Sequence, residues 1–141
     1  MAEQTLKGMR VAILATNGFE EAELTKPKQA LDEAGAKTTI IAPEAGEIYG
    51  MHHHDKAGKV KVDMEIADAS PEDFDAVLLP GGALNADALR IVRLAQKFVQ
   101  EIDAAQKPIA VICHGPWLLV SAGLTKGRTL TSWPSILRMT L

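Results

Sequence analysis

The sequence has a single cysteine, no excess of basic charge and no long apolar run. With one cysteine, Cys113, among 141 residues, no disulfide can form within the chain, which fits a reducing compartment and leaves the thiol free to react. The formal net charge of -3 gives no general basic field, so neither nucleic acid nor a membrane surface is expected as a main partner. No apolar run approaches the ~18 residues that span a bilayer. We therefore expect a cytoplasmic protein.

Patterns for nucleotide and metal binding are also scarce. The chain has no G-x-G-x-x-G and no G-x-x-x-x-G-K-[ST] segment, so no cofactor of these classes is expected. The run His52, His53, His54 and Asp55 offers zinc-type ligands, but adjacent loop residues rarely point at one centre, and no second ligand cluster is evident. We expect a solvated loop and no metal. A weak metal site, or a contribution of these histidines to the rim of a site, are the alternatives.

Length and composition indicate one compact domain. Hydrophobic residues make up 47% of the chain and charged residues 23%, which suits a domain with a substantial core. No internal repeat, low-complexity tract or linker interrupts it. A single domain over residues 1–141 is therefore predicted.

Apolar patterning predicts strands that alternate with helices. Continuous apolar stretches are typical of strands buried on both faces, and they occur at 10–15, 38–42, 75–80 and 109–112. The alternation over 59–63 indicates an exposed or edge strand. Strands alternating with helices predict an α/β fold, with a doubly wound, mostly parallel sheet sandwiched by helices.

The intervals between these strands contain the predicted helices and loops. After the acidic start near Glu20, Pro27 interrupts a helical pattern, so we predict a break at 25–26. Apolar residues recur every three or four positions over 86–104, which predicts one amphipathic helix. Residues 44–57 are predicted to form a surface loop, and 70–73 a single helical turn capped by its serine.

The only cysteine lies where a buried strand is expected to become a helix. Cys113 is followed by His114, Gly115 and Pro116. A thiol near a helix N-terminus experiences unpaired backbone N–H groups and the positive end of the helix dipole, so we predict a lowered pKa. So tight a turn also predicts a strained backbone that projects the side chain outward, as in the nucleophile elbow of serine hydrolases. A lone cysteine in an apolar strand is otherwise most often a small core residue.

Two more polar or glycine-rich stretches follow predicted strands. They are 17–23, with its acidic residues, and the pair Gly81 and Gly82. Because ligands gather at the carboxyl ends of parallel strands, we expect both stretches to converge with 113–114. For Glu20 the alternative role is compensation of the helix dipole, which its acidic neighbours could serve equally. The glycine pair could be a plain turn.

Four segments in the same order resemble one known family. They are Leu-Pro-Gly-Gly at 79–82 and Ile-Cys-His-Gly-Pro-Trp at 112–117, supported by 17–24 and 127–134. On these residues the chain resembles the ThiJ/PfpI superfamily, and within it the branch of PfpI-like intracellular cysteine peptidases and general stress proteins. The resemblance implies a flavodoxin-like sandwich, similar to the class I glutamine amidotransferases. It also implies a nucleophilic cysteine on the elbow.

The resemblance assigns roles to individual residues. It implies that Cys113 is the nucleophile, that His114 is the adjacent base or orienting partner, and that Glu20 supplies the carboxyl group that hydrogen-bonds the sulfur. An acid after the glycine pair often reaches the dyad of a neighbouring subunit in this branch. Asp87 fits that role if one residue is inserted.

The resemblance also implies where negative charge is held during the reaction. The oxyanion hole would be formed by Gly81 and Gly82 together with the backbone N–H of His114.

The activity implied by the resemblance is that of a cysteine-dependent hydrolase in stress protection. It is either an intracellular peptidase or a deglycase or glyoxalase acting on methylglyoxal adducts, so small carbonyl adducts or peptides are the expected substrates. A homo-oligomer, dimer or hexamer, is implied as well. The alternative is a non-enzymatic stress protein that senses oxidation through Cys113 or acts as a chaperone.

The chain departs from the family pattern near its C-terminus. Family members continue well beyond the Ser-Trp-Pro-Ser segment at 132–135, whereas this sequence stops at residue 141, and its last six residues fit the pattern poorly. We therefore expect the usual C-terminal part to be missing, which would uncover apolar sheet surface.

Overall fold

The computed structural model describes residues 4–137. Its elements are, in chain order, β1 (Arg10–Leu14), β2 (Phe19–Glu20), α1 (Glu21–Glu33), β3 (Lys37–Ala42), β4 (Glu47–His52), β5 (Asp55–Lys61), β6 (Met64–Glu65), β7 (Ala76–Leu79), α2 (Ala83–Leu89), α3 (Arg93–Ala104), β8 (Ile109–Val111), α4 (Pro116–Ser121) and α5 (Pro134–Leu137). The departure expected after residue 135 falls mostly on residues 138–141, outside the described range. Between residues 4 and 137, no helix has the length and apolar character needed to cross a membrane.

Five parallel strands form the central sheet, in the order β6-β3-β1-β7-β8. This confirms the predicted parallel α/β sheet. Because successive side chains of a strand point to opposite faces, β1 contributes to two apolar clusters. Val11 and Ile13 pack with residues of α1, whereas Ala12 and Leu14 pack with residues of α3 and α4. The sheet is thus covered by helices on both sides.

A second, three-stranded sheet pairs β2 with β4 in parallel and β4 with β5 antiparallel. The prediction of a surface loop over 44–57 is wrong, since most of that stretch belongs to the β4–β5 hairpin. Gly50 lies against the ring of Phe19, where an added Cβ would come within 2.9 Å of Cε2. The strand predicted at 59–63 is an edge strand, as expected, but it begins earlier, at Asp55.

Two helix predictions are also wrong. Helix α1 continues through Pro27 although proline there lacks the N–H that would bond the Glu23 carbonyl. Leu24, on the same helix, is fully buried in the core. The single helix predicted over 86–104 is two helices, α2 and α3. Helix α2 contacts α4 and β2, whereas α3 contacts β7 and β8, so the chain bends between them.

The helical turn predicted at 70–73 is present as a single 3₁₀ turn, Pro71–Asp73. Its expected cap is absent, because the Ser70 side chain makes no capping hydrogen bond there. Pro71 at the first position instead begins the turn with a fixed φ and no N–H to satisfy.

Candidate active site

The chain turns sharply between β8 and α4 at Cys113. Its φ of +60° lies in the left-handed region, which residues other than glycine seldom adopt. Gly115 is required for the tight turn, because an added Cβ would lie 2.8 Å from both the Leu79 carbonyl oxygen and Val111 Cγ2. The backbone N–H of Trp133 donates to the Cys113 carbonyl oxygen at 2.8 Å. The strained elbow predicted from the sequence is therefore present.

The half-buried sulfur of Cys113 faces two backbone donors and one imidazole. The N–H groups of Gly82 and His114 lie close enough to the sulfur to lower the pKa of the thiol, and Nδ1 of His114 lies 3.1 Å from Sγ. Gly82 has a φ of +96°, and a Cβ at this position would overlap the Gly18 carbonyl oxygen. Glycine at 82 thus lets the backbone adopt this positive φ and pass close to residues 18–20.

The carboxyl group beside the sulfur belongs to Glu23. It lies close enough to the Gly81 N–H and to the Cys113 thiol for hydrogen bonds to both to lower its pKa. Its Oε1 atom is buried, and no described residue makes a hydrogen bond of good geometry to it. The carboxyl group is therefore held at the site, with one oxygen available to receive a proton.

Glu20 occupies a different place from the one predicted for it. Its two carboxylate oxygens accept from the backbone N–H of His53, at 3.2 and 3.3 Å, so it holds the tip of the β4–β5 hairpin. Glu21 similarly accepts from the Gly58 N–H at 2.8 Å. Because α1 begins at Glu21, the side chains of these successive acids point in different directions, and Glu23 is the one aimed at the sulfur. The resemblance pointed to Glu20 for this role, whereas the structure has the carboxyl group of Glu23 beside the sulfur.

The pKa of the Cys113 thiol is raised, contrary to the sequence-based prediction. Burial is the largest cause, and the charges of Glu23 and Glu20 raise the pKa further. The N–H groups of Gly82 and His114 lower it, but they do not outweigh burial. The cysteine therefore rests as a thiol at neutral pH, and attack requires a neighbouring group to take its proton.

Two neighbours are suited to hold that proton. Burial raises the pKa of Glu23, and the charge of Glu20 adds to the effect. Burial lowers the pKa of His114, so its imidazole is neutral at neutral pH. A carboxyl group and a neutral imidazole thus flank the thiol.

The imidazole of His114 is stacked against Trp133. The ring centroids are 5.1 Å apart and the planes are tilted by 23°. The same tryptophan donates its backbone N–H to Cys113, so one residue fixes both the elbow and the imidazole. The sequence singled out Cys113 and His114 but contained no signal for this contact, which joins segments separated by a helix.

Replacing Trp133 with alanine is expected to raise the pKa of His114 toward its ordinary value, because burial is what lowers that pKa. Loss of the stacked pair is also expected to cost about 1 kcal/mol of stability. NMR titration of the imidazole and chemical denaturation measure the two effects. Trp133→Phe, which keeps an aromatic face, should titrate like the wild type. Identical titration curves for Trp133→Ala and the wild type would contradict the assignment.

Two predicted features lie apart from the sulfur. Asp87 is exposed on α2, so a role at the dyad of a neighbouring subunit stays a prediction. His52, His53 and His54 are exposed at the hairpin tip, which Glu20 holds near the site. Among residues 4–137 no group of histidine, cysteine and acidic side chains is arranged to hold a metal ion.

One further residue was not suggested by the sequence. Asn85, in the first turn of α2, is 1% exposed and hydrogen-bonds the loops on either side of the site.

Clefts of about 600 Å³ and 390 Å³ lie elsewhere, the first between α1 and the strands β3 and β5, the second beside β7 and β8. Neither includes Cys113, so cleft size does not mark the chemistry here.

Comparison with known proteins agrees with this geometry. Residues 9–140 match the model of the DJ-1/PfpI family. The deglycase PfpI of Pyrococcus furiosus is 38% identical over 128 residues, a match that covers 91% of this chain and 74% of that protein. YraA of Bacillus subtilis, whose name describes it as a candidate cysteine protease, is 40% identical over 128 residues, covering 90% of this chain and 73% of that protein.

Solved structures show the same fold. A two-domain protein from Anabaena variabilis, with DJ-1/ThiJ/PfpI-like and ferritin-like domains, superposes with a TM-score of 0.87 at 28% identity, over 94% of this chain and 37% of that chain. The oxidized DJ-1 of Toxoplasma gondii superposes with a TM-score of 0.83 at 24% identity, over 94% of this chain and 71% of that chain. With its elbow cysteine and parallel sheet, this chain belongs to the DJ-1/PfpI family.

Proposed function

We propose that the chain is a cysteine-dependent hydrolase that attacks carbonyl groups of peptides or of methylglyoxal-type adducts, with Cys113 as the nucleophile. The observation that carries this proposal is the surroundings of its sulfur, where the N–H groups of Gly82 and His114, the Nδ1 of His114 and the carboxyl group of Glu23 converge. The names of two relatives, a deglycase and a candidate cysteine protease, support the same class of reaction.

The proposed reaction begins with attack of the Cys113 sulfur on the carbonyl carbon. As the S–C bond forms, the π-electron pair moves to oxygen, and the thiol proton passes to Glu23 or to Nδ1 of His114. In this proposal the N–H groups of Gly82 and His114 stabilise that oxyanion. With a peptide substrate, its collapse breaks the amide C–N bond, and the leaving amine takes up the proton. Water then hydrolyses the thioester and restores the thiol.

The proton acceptors beside the sulfur, Nδ1 of His114 at 3.1 Å and the carboxyl group of Glu23, support the enzyme over an oxidation sensor. An enzyme with a proton acceptor beside the sulfur does not need a standing thiolate, because the proton leaves as the new bond forms. The site therefore suits attack assisted by a base.

A homo-oligomer, dimer or hexamer, belongs to the same proposal. The exposed side of α2 and the turn after it present Leu84, 56% exposed, and Ile91, 75% exposed, on either side of Asp87 along the chain. Exposed apolar side chains near one another are a feature of association surfaces where they form a patch. This arrangement supports a role for Asp87 at a neighbouring copy.

The test is a panel of methylglyoxal adducts and short peptides assayed with the wild type and Cys113→Ser. The variant is expected to lose at least about 10³-fold in kcat/KM. Treating the wild type with iodoacetamide should give the same loss, and the same treatment should leave Cys113→Ser unchanged. Turnover retained in the variant would contradict the proposal. The chaperone alternative would be favoured if neither protein turned over any substrate and both still prevented aggregation of a client protein.

A further inference from the structure

Asn85 is the one polar side chain among residues 4–137 that is fully buried, with 1% of its surface exposed. Its Oδ1 accepts from the Thr16 N–H at 2.7 Å, just after β1. Its Nδ2 donates to the Pro80 and Gly81 carbonyl oxygens, both at 3.1 Å, just after β7. Every donor and acceptor direction of the carboxamide except one acceptor lone pair is thus used, and all of them hold backbone at the site.

The two carbonyls that Asn85 holds belong to the two peptide groups that serve the site. In a planar trans peptide the C=O and N–H point in opposite directions. The peptide with the Pro80 carbonyl has the Gly81 N–H at its other end, beside Glu23. The peptide with the Gly81 carbonyl has the Gly82 N–H at its other end, close enough to the Cys113 sulfur to lower the pKa of the thiol. Fixing the oxygens therefore fixes both N–H groups.

These peptide groups need an external restraint because glycine does not supply one. The peptide between Gly81 and Gly82 has no Cβ on either side, so rotating it by half a turn meets little steric resistance. That rotation would replace the N–H at the sulfur by a carbonyl oxygen. The Gly81 carbonyl accepts from Asn85 and, at 3.2 Å, from the Glu20 N–H. Two donors on one side hold the peptide in the orientation that the sulfur requires.

We propose that Asn85 is a positioning residue that locks the Gly81–Gly82 peptide, so that the Gly82 N–H faces the Cys113 sulfur and the oxyanion formed there. Its importance for turnover rests on the function proposed above. Its effect on the thiol does not, because the thiol can be titrated without any substrate. The two can therefore fail separately.

The experiment compares Asn85→Ala and the near-isosteric Asn85→Asp with the wild type. The rate of alkylation of Cys113 by iodoacetamide is measured as a function of pH. The other groups that face the sulfur, Glu23, Glu20 and His114, are the same in all three proteins. Loss of one N–H donor is expected to move the alkylation profile about one pH unit upward, a tenfold slower reaction at fixed pH. With a carbonyl substrate that the wild type turns over, kcat is expected to fall about 10²-fold with KM little changed.

Val99→Ala is the control, because Val99 is fully buried on α3 and takes no part in the site. It lowers stability without touching the glycine pair, so its alkylation profile should match the wild type. A wild-type profile in folded Asn85→Ala, or an equal shift in Val99→Ala, would overturn the proposal. If the wild type has no hydrolase activity, the alkylation profiles still show whether Asn85 positions the Gly82 N–H.

Hydrogen exchange of the wild type gives a second measurement that does not depend on any variant folding. A locked peptide predicts that the Gly82 amide exchanges as slowly as amides of β7. Exchange as fast as that of Gly46, in an exposed turn with open space around it, would overturn the proposal.

Discussion

Replacing Gly81 with alanine is expected to lower the free energy of unfolding by about 3 kcal/mol or more and to disrupt the candidate site. An added Cβ would overlap Oε1 of Glu23 and lie 2.6 Å from Cβ of Cys113 and 3.1 Å from the Ile112 carbonyl oxygen. Two of these three neighbours are rigid parts of the elbow, so the strain cannot be relieved by a side-chain rotation. The glycine is required by the closeness of three segments and not by its own backbone angle.

Chemical denaturation and iodoacetamide alkylation measure the two effects. Gly58→Ala is the matched control: its φ is also outside the left-handed region, and its added Cβ would meet only the end of the flexible Glu21 side chain, at 3.1 Å. We expect the control to change the free energy of unfolding by less than about 1 kcal/mol. Equal stability of Gly81→Ala and Gly58→Ala would show that the segments do not approach as closely as the structure has them.

The parallel sheet could be predicted because its strands are apolar throughout. A run such as 10–15 can be buried only between two covered faces, and each run alternates with a helical pattern, which leaves few topologies. The β4–β5 hairpin could not be predicted in this way. Its glycine and histidine content is typical of a loop, and its partner, β2, lies far upstream and is only two residues long. The strand β4 forms because it pairs with β2, a segment distant in the sequence.

The sequence was sufficient to predict the cysteine and the glycines of the candidate site, but not the direction in which the thiol pKa is shifted. Cys113 and the glycine pair follow strands, and the sheet brings those strand ends together. The sign of the thiol pKa shift depends on how far the sulfur is buried, and a helix N-terminus in the sequence carries no such information. Asn85 could not be identified for a related reason, because an asparagine just before the helix predicted over 86–104 gives no sign that its carboxamide is buried.

Replacing Glu23 with glutamine is expected to move thiol reactivity and turnover in opposite directions. The negative charge beside the sulfur disappears, which lowers the pKa of Cys113 and speeds its alkylation at neutral pH by about threefold to tenfold. With Glu23 as the acceptor of the thiol proton, which the amide cannot take up, turnover should fall by at least about 10²-fold; unchanged turnover would assign that proton to Nδ1 of His114. Glu21→Gln is the control, since Glu21 binds the Gly58 N–H instead. A parallel change in both readouts would mean that Glu23 acts only through structure.

The same variant tests how Glu23 links stability to pH. Its folded-state pKa is raised, mainly by burial, above the 4.5 of an ordinary glutamate. The folded wild type therefore binds this proton more tightly than the unfolded chain, and that contribution is fully present below pH 4.5 and lost as the pH rises through the folded-state pKa. Glutamine does not titrate, so Glu23→Gln should lose less stability than the wild type across this window. The half-exposed carboxyl limits the difference at neutral pH to about 1 kcal/mol or less. Chemical denaturation from pH 4 to pH 8 measures this difference. An equal loss of stability in the two proteins would contradict the raised pKa of Glu23.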